Sequence, residues 1–139
     1  MSSSETNMAA VRGCFENATR GNFDALPQIV TEDYVLHPEG IRGADGLREM
    51  VEGYRAAISD LAVTVEHQFT EGDYVATRYT LRGRHDGELM GAPPTGNDIE
   101  VCGLTISRCR DGRIEEEWEL VDVSSLLAQI GALPEMAAS

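Results

Sequence analysis

The feature that most constrains this chain is a change of period part-way along it. Apolar residues recur at helical spacing up to Ser59, and beyond Asp60 they alternate singly with polar ones. Met8, Val11, Cys14, Phe15 and Ala18 mark one face of a first helix over residues 5 to 21, with Gly21 as its stop. Phe23, Leu26, Ile29 and Val30 repeat the pattern over Asn22 to Val30, a helix that Pro27 keeps short. An extended segment, Tyr34 to Pro38, leads to a third helix from Gly43 to Ser59 with Leu47, Met50, Val51, Tyr54, Ala57 and Ile58 on one side. After Asp60, Leu61, Val63 and Val65 alternate with Ala62, Thr64 and Glu66, and β-branched residues become frequent. The EGD at 71–73 separates this strand from a second, Tyr74 to Arg84. Residues 99–109 make a third strand, and after the turn Arg110–Gly112 a fourth runs from Arg113 to Val121. HDGELMGAPPTGND, 85–98, reads as a long connection, and Ser124 to Ile130 as a short closing helix. Helices first and strands afterwards define an α+β fold, a curved antiparallel sheet of about four strands packed on N-terminal helices. Such a sheet and its helices form a cone whose open end is a place for a ligand.

The length of 139 residues suits one domain with its own core, and residues 1–5 and 132–139 are expected to fray. A net charge of −13 repels phosphate backbones and anionic headgroups, so neither nucleic acid nor a membrane is an expected partner. No apolar run reaches the roughly 18 residues of a membrane span, and MSSSETNMAA lacks the basic and apolar regions of a signal peptide; a cytoplasmic location is expected. Cys14, Cys102 and Cys109 show no disulfide or zinc spacing, and the seven-residue step places Cys102 and Cys109 on opposite faces of a strand. His37, His67 and His85 form no metal-ligand pattern, and GxGxxG, P-loop, GxSxG and HExxH motifs are lacking. No metal, nucleotide or flavin is expected, so any chemistry runs on side-chain acids and bases.

The densest carboxylate cluster is IEEEWELVD, 114–122, with Glu115, Glu117 and Glu119 on one face of the strand and Glu116, Trp118 and Asp122 on the other. Glu115, Glu116 and Glu117 read as a solvated face. Glu119 stands between Trp118 and Leu120 near the end of an apolar strand, where burial would raise its pKa and make it a general acid or base. His37, in VLHP, is held extended by the proline after it and is equally readable as a functional or a surface histidine. Arg78, Arg82, Arg84 and His85 give the second strand a basic tip, expected to pair with the Glu-rich strand. The third strand puts Val101, Gly103, Thr105 and Ser107 on one face and Cys102, Leu104, Ile106 and Arg108 on the other. Both faces are partly apolar, so the sheet has room for a second covering layer besides the helices, such as another subunit.

Four segments carry a resemblance: GNFDALPQIVTEDYVLHPEG, GADGLREMVEGYRAAISDLAVTVE, GRHDGELMGAPPTG and RDGRIEEEWELVDVSSLLAQIG. Together, over about residues 8 to 131, they resemble the SnoaL-like polyketide cyclases of the nuclear-transport-factor-two-like superfamily, with GxHxGxxxGxPPTG at 83–96 the most specific match. The resemblance implies a cone-shaped α+β barrel, dimeric or higher through its sheet, around a hydrophobic pocket without cofactor or metal. It implies a polycyclic aromatic polyketide, of anthracycline type, as substrate. The reaction it implies is an intramolecular aldol closure in which a carboxylate on the last strand removes a proton α to a carbonyl. Glu119 matches that carboxylate; Thr105 stands where the cyclases carry a histidine; His37 stands where they carry an asparagine and ketosteroid-isomerase relatives a base, which makes it a second catalytic candidate. Tyr34, Tyr54, Phe15, Gly103, Thr105, Trp118 and His85 are the expected substrate-binding residues. A hydroxylase component acting on the same substrates is an alternative, and so is a non-catalytic carrier, which Thr105 in place of histidine favours.

Overall fold

A computed structural model describes residues 2–132. The first helix, α1 (Ser3–Arg20), starts two residues before the pattern indicates, because the Ser2 hydroxyl accepts the Glu5 N–H at 3.1 Å and caps it. Residues 3–5 are therefore helical, while the expected fraying past Ala132 lies outside the described residues. Gly21 ends the helix in the left-handed region, φ 79°. A 3₁₀ turn (Phe23–Ala25) and α2 (Leu26–Ile29) follow, then β1 (Val30–His37), β2 (Ile41–Arg42) and α3 (Gly43–Ala57). The remaining elements are β3 (Ile58–Glu71), β4 (Tyr74–His85), β5 (Asp98–Arg110), β6 (Arg113–Val121) and α4 (Val123–Gln129).

The four strands expected from alternation form an antiparallel meander, β3 to β6, as read. The sheet is nonetheless mixed and open, in the order β2-β1-β6-β5-β4-β3. Val30–His37 joins it as a fifth strand, parallel to β6 with His37 opposite Trp118, and β2 adds an edge. A parallel neighbour some 80 positions away leaves no local signature, so the helical reading of Val30 and the short extended segment after it did not anticipate this strand. The helices cover one face, and the core forms two clusters, one of Val11, Cys14, Leu26, Tyr34, Leu36 and Leu47 and the other of Ile58, Leu89, Ile99, Val101 and Leu126. On β5 the alternation holds, with Val101, Gly103, Thr105 and Ser107 buried and Cys102, Leu104 and Ile106 exposed; Cys102 and Cys109 do fall on opposite faces. Among the described residues no helix is long and apolar enough to cross a membrane.

Two expectations about charge change in the structure. A bulge, where Arg108 and Cys109 face Glu116 and Ile114, inserts Glu115 as an extra residue in β6. Glu115 therefore leaves the face of Glu117 and meets Arg108 and Arg110, both at 2.8 Å. The basic tip of β4 does not pair with β6 either, because β5 lies between them. Instead Arg82 bonds Glu100 at 2.9 Å, Arg84 approaches Asp86 at 3.3 Å, and Arg78 Nε donates to His67 Nδ1 at 3.1 Å.

The glycine- and proline-rich connection is tied to the fold by its backbone and by His85. His85 is fully buried; its N–H donates to Asn97 O and its carbonyl accepts Gly96 N–H, both at 2.8 Å, while Nδ1 meets Thr95 Oγ1 at 2.9 Å. Gly87 N–H donates to Ala57 O at 3.0 Å, and a Cβ at position 87 would overlap the Ala56 carbonyl. His85 thus holds the loop together and does not line the cavity, contrary to its expected role in substrate binding.

Candidate active site

Between α1, α3 and the inner face of the sheet lies a cavity walled by Val11, Phe15, Met50, Tyr54, Leu61 and Val101 among other apolar side chains. Among the described residues the only charged side chains in its lining are Glu117 and Glu119, which the two-residue period of β6 places on the inner face. Glu119 Oε2 accepts the Tyr79 hydroxyl at 2.7 Å, and Oε1 has no hydrogen-bond partner among the described residues. Burial pushes the Glu119 carboxyl up to about 7; the Tyr79 hydrogen bond pulls against this, and the charges of Glu117 and Glu39 add to it.

Tyr79 is fixed from two sides. The Phe15 ring lies 4.8 Å from it, centroid to centroid, and Gly103 is its cross-strand neighbour on β5. A Cβ at position 103 would overlap the Tyr79 ring, so Gly103 makes room for the tyrosine that holds Glu119. The cross-strand neighbour of Glu119 on β5 is Thr105, on the same side of β6 as Tyr79 and 4% exposed, whose Oγ1 is buried without a partner among the described residues. A buried hydroxyl with no protein acceptor beside a carboxyl with a free oxygen is a pair poised toward the cavity. Tyr54 lines the cavity too, its phenol pushed up by burial and by Glu119.

Glu117 is 7% exposed and overturns its reading as part of a solvated face. Tyr34 Oη donates to its Oε1 at 2.6 Å and Ser107 Oγ to its Oε2 at 2.5 Å, while burial drives its pKa upward against those bonds. Of the residues expected in the site, the structure brings together Glu119, Tyr34, Tyr54, Phe15 and Thr105, with Gly103 behind Tyr79.

His37 and Trp118 are not with them. Leu36 points inward, so His37 points outward, where its ring stacks on Trp118 with centroids 5.6 Å apart and Nε2 lies 2.7 Å from Glu116 Oε2. His37 therefore does not line this cavity; it lines a groove on the outer face of the sheet with Trp118, Leu104, Ile106 and Leu120. Sequence reasoning missed Glu117, Tyr79 and Ser107. Their signal was the period itself: Glu117 lies two residues before Glu119, and Ser107 two after Thr105. Among the described residues no cluster of His, Cys, Asp and Glu has the geometry to hold a metal.

Fold and site define a small α+β protein with a buried apolar cavity that holds two carboxyls. The chain belongs to the SnoaL-like polyketide cyclase family, whose model matches residues 9–130. The nogalonic acid methyl ester cyclase of Streptomyces nogalater is 31% identical over 117 residues, 80% of this chain and 87% of that protein. Among solved structures, IdmH from Streptomyces antibioticus, a candidate polyketide cyclase, superposes with a TM-score of 0.78 at 34% identity, covering 94% of this chain and 99% of its own. AclR from Streptomyces galilaeus, a candidate hydroxylase, gives 0.83 at 27% identity over 97% and 86%. The family and fold class expected from the sequence are those found.

Proposed function

We propose that the chain is a cofactor-independent cyclase that closes a ring of a polycyclic aromatic polyketide by an intramolecular aldol step, with Glu119 as general base. The observation that carries this is the Glu119 carboxyl, one oxygen held by Tyr79 and the other free in an apolar cavity, where burial pushes it up to about 7. The Glu119 carboxylate takes a proton α to a carbonyl, and the C–H electron pair moves onto that carbonyl as an enolate whose oxygen the Thr105 hydroxyl can bond. The enolate carbon forms a C–C bond to a second carbonyl of the same molecule. The resulting alkoxide recovers the proton from Glu119, so substrate and product have equal mass. A lining in which the only charged side chains among the described residues are two carboxyls favours a neutral substrate such as an ester over a free acid, in keeping with the methyl ester named for the nogalonic relative.

The test is incubation with ester precursors of anthracycline type, following retention and mass. A product of unchanged mass and altered retention supports ring closure; binding without any change over hours would reduce the protein to a carrier. The likeness to AclR favours a second reading, hydroxylation, and a product carrying one atom from labelled molecular oxygen would establish it instead.

Thr105→Val removes the unpartnered hydroxyl at nearly constant volume. Turnover is expected to fall about 10- to 100-fold with KM little changed, because the lost bond forms chiefly to the enolate. Equal kcat values in steady-state assays would remove Thr105 from the mechanism.

We further propose that a second copy of the chain covers the outer sheet face, where Phe69, Leu104, Ile106, Trp118 and Leu120 are exposed, Leu120 at 72%. Sedimentation should give twice the 15.1 kDa chain mass. Leu120→Lys should give a monomer, and a wild-type monomer at micromolar concentration would rule the interface out.

A further inference from the structure

The aldol chemistry assigned above uses one of the two cavity carboxyls and leaves the other without a task. Glu117 and Glu119 share the inner face of β6 two residues apart, yet their surroundings differ. Glu119 is held by one phenol and keeps a free oxygen, whereas both oxygens of Glu117 are occupied, one by Tyr34 and the other by Ser107, at 2.6 and 2.5 Å. Two hydroxyl donors do for a buried carboxylate what water would do, and they support the ionised form against burial. Neither Tyr34 nor Ser107 is a cation, and the lining holds none among the described residues, so a charge on Glu117 is solvated by hydroxyls and not neutralised. Its field falls on the next group along the face.

We infer that Glu117, gripped by Tyr34 and Ser107, is a positioning residue whose negative charge makes Glu119 a stronger base. The inference rests on Glu119 acting as the base of the proposed reaction. A fixed anion behind Glu119 stabilises it in the protonated form it reaches after taking the substrate proton. It thereby favours the transfer in which that proton moves from carbon to Oε1. The other titratable groups facing Glu119 among the described residues are Tyr79 from β4, Tyr54 from α3, Tyr34 from β1, Cys14 from α1 and Glu39 from the turn after β1. The three phenols and the thiol are pushed upward by burial and stay neutral at physiological pH, and Glu39 is exposed to solvent. Among the described residues that face Glu119, Glu117 is the one carboxyl besides Glu39, and it is buried where solvent does not screen it.

The experiment is a carboxyl titration by NMR on protein carrying ¹³C-labelled glutamate, with the Glu119 resonance assigned by its loss in Glu119→Gln. In Glu117→Gln, which keeps shape and one acceptor, the Glu119 midpoint should move down by about one pH unit, and the acid limb of kcat/KM should move with it. Ser107→Ala and Tyr34→Phe each remove one hydroxyl from Glu117 and favour its neutral form. They should move the midpoint the same way by less, and either serves if Glu117→Gln does not fold. Glu39→Gln should move it least. A purely structural role for Glu117 would lower the melting temperature and leave the midpoint in place. An unchanged or raised midpoint overturns the inference, and so does a midpoint that moves while the acid limb does not. The NMR readout needs no turnover, so full activity in Glu119→Gln would defeat the base assignment separately from the coupling between the two carboxyls.

Discussion

Glu119→Gln is expected to slow ring closure by about 10²- to 10⁴-fold, the loss of a general base, and to make the folded protein more stable above neutral pH. The two effects have one cause. Burial raises the Glu119 carboxyl from 4.5 to about 7 in the folded state, so folding favours its protonated form. The stability that comes from keeping this proton is fully present below the unfolded value of 4.5 and is lost as pH rises through about 7. At pH 8 the wild type holds a carboxylate where the fold prefers a neutral group, a cost on the order of 2–3 kcal/mol that the neutral amide avoids. Urea unfolding of both proteins should show the variant ahead at pH 8 and level with wild type near pH 4.5. In the wild type, kcat/KM should rise with pH through about 7, as the carboxylate forms. A variant equally active, or no further ahead of wild type in stability at pH 8 than at pH 4.5, would mean that Glu119 is not the buried base. Sites that do chemistry commonly give up stability in this way.

Gly103→Ala carries the largest expected cost to the fold. The added Cβ overlaps the Tyr79 ring, and Phe15 packed 4.8 Å away denies the ring an easy retreat. Overpacking of this kind costs about 1–3 kcal/mol and sometimes more, and the melting temperature should drop by roughly 5–10 °C. Activity should fall further than stability alone explains, because a displaced Tyr79 releases Glu119 Oε2. Tyr79→Leu in the Gly103→Ala background makes a double-mutant cycle: the pair should be less destabilised than the sum of the two single variants. Additive losses would show that the clash lies elsewhere. Thermal melts and kcat measured on the four proteins decide it.

The residues that sequence reading placed correctly share one property: their place depends on near neighbours. The inward set on β5, Val101, Gly103, Thr105 and Ser107, follows from alternation alone, and the helical stripe Val11, Cys14, Phe15 and Ala18 follows from a 3.6-residue period. Glu119 was legible from its apolar strand end and from the family likeness of the last segment. Ile58 shows the limit of local pattern, since it fits the helical stripe of α3 yet opens β3.

What the sequence determined by itself was the α+β order of elements, the family, and which side of β5 faces the helices, because these are carried by periodicity and by residues within a few positions of one another. Only the tertiary structure decided the site's membership. The parallel pairing of β1 with β6 sent Tyr34 inward to Glu117 and His37 outward to Trp118. The bulge at Glu115 separated three consecutive glutamates, two joining surface ion pairs with Arg108 and one becoming a buried acid. Both events join strands about 80 positions apart or shift their register by a single residue. Such choices are made by the burial and hydrogen bonding of the whole sheet, and no window of neighbouring residues records them.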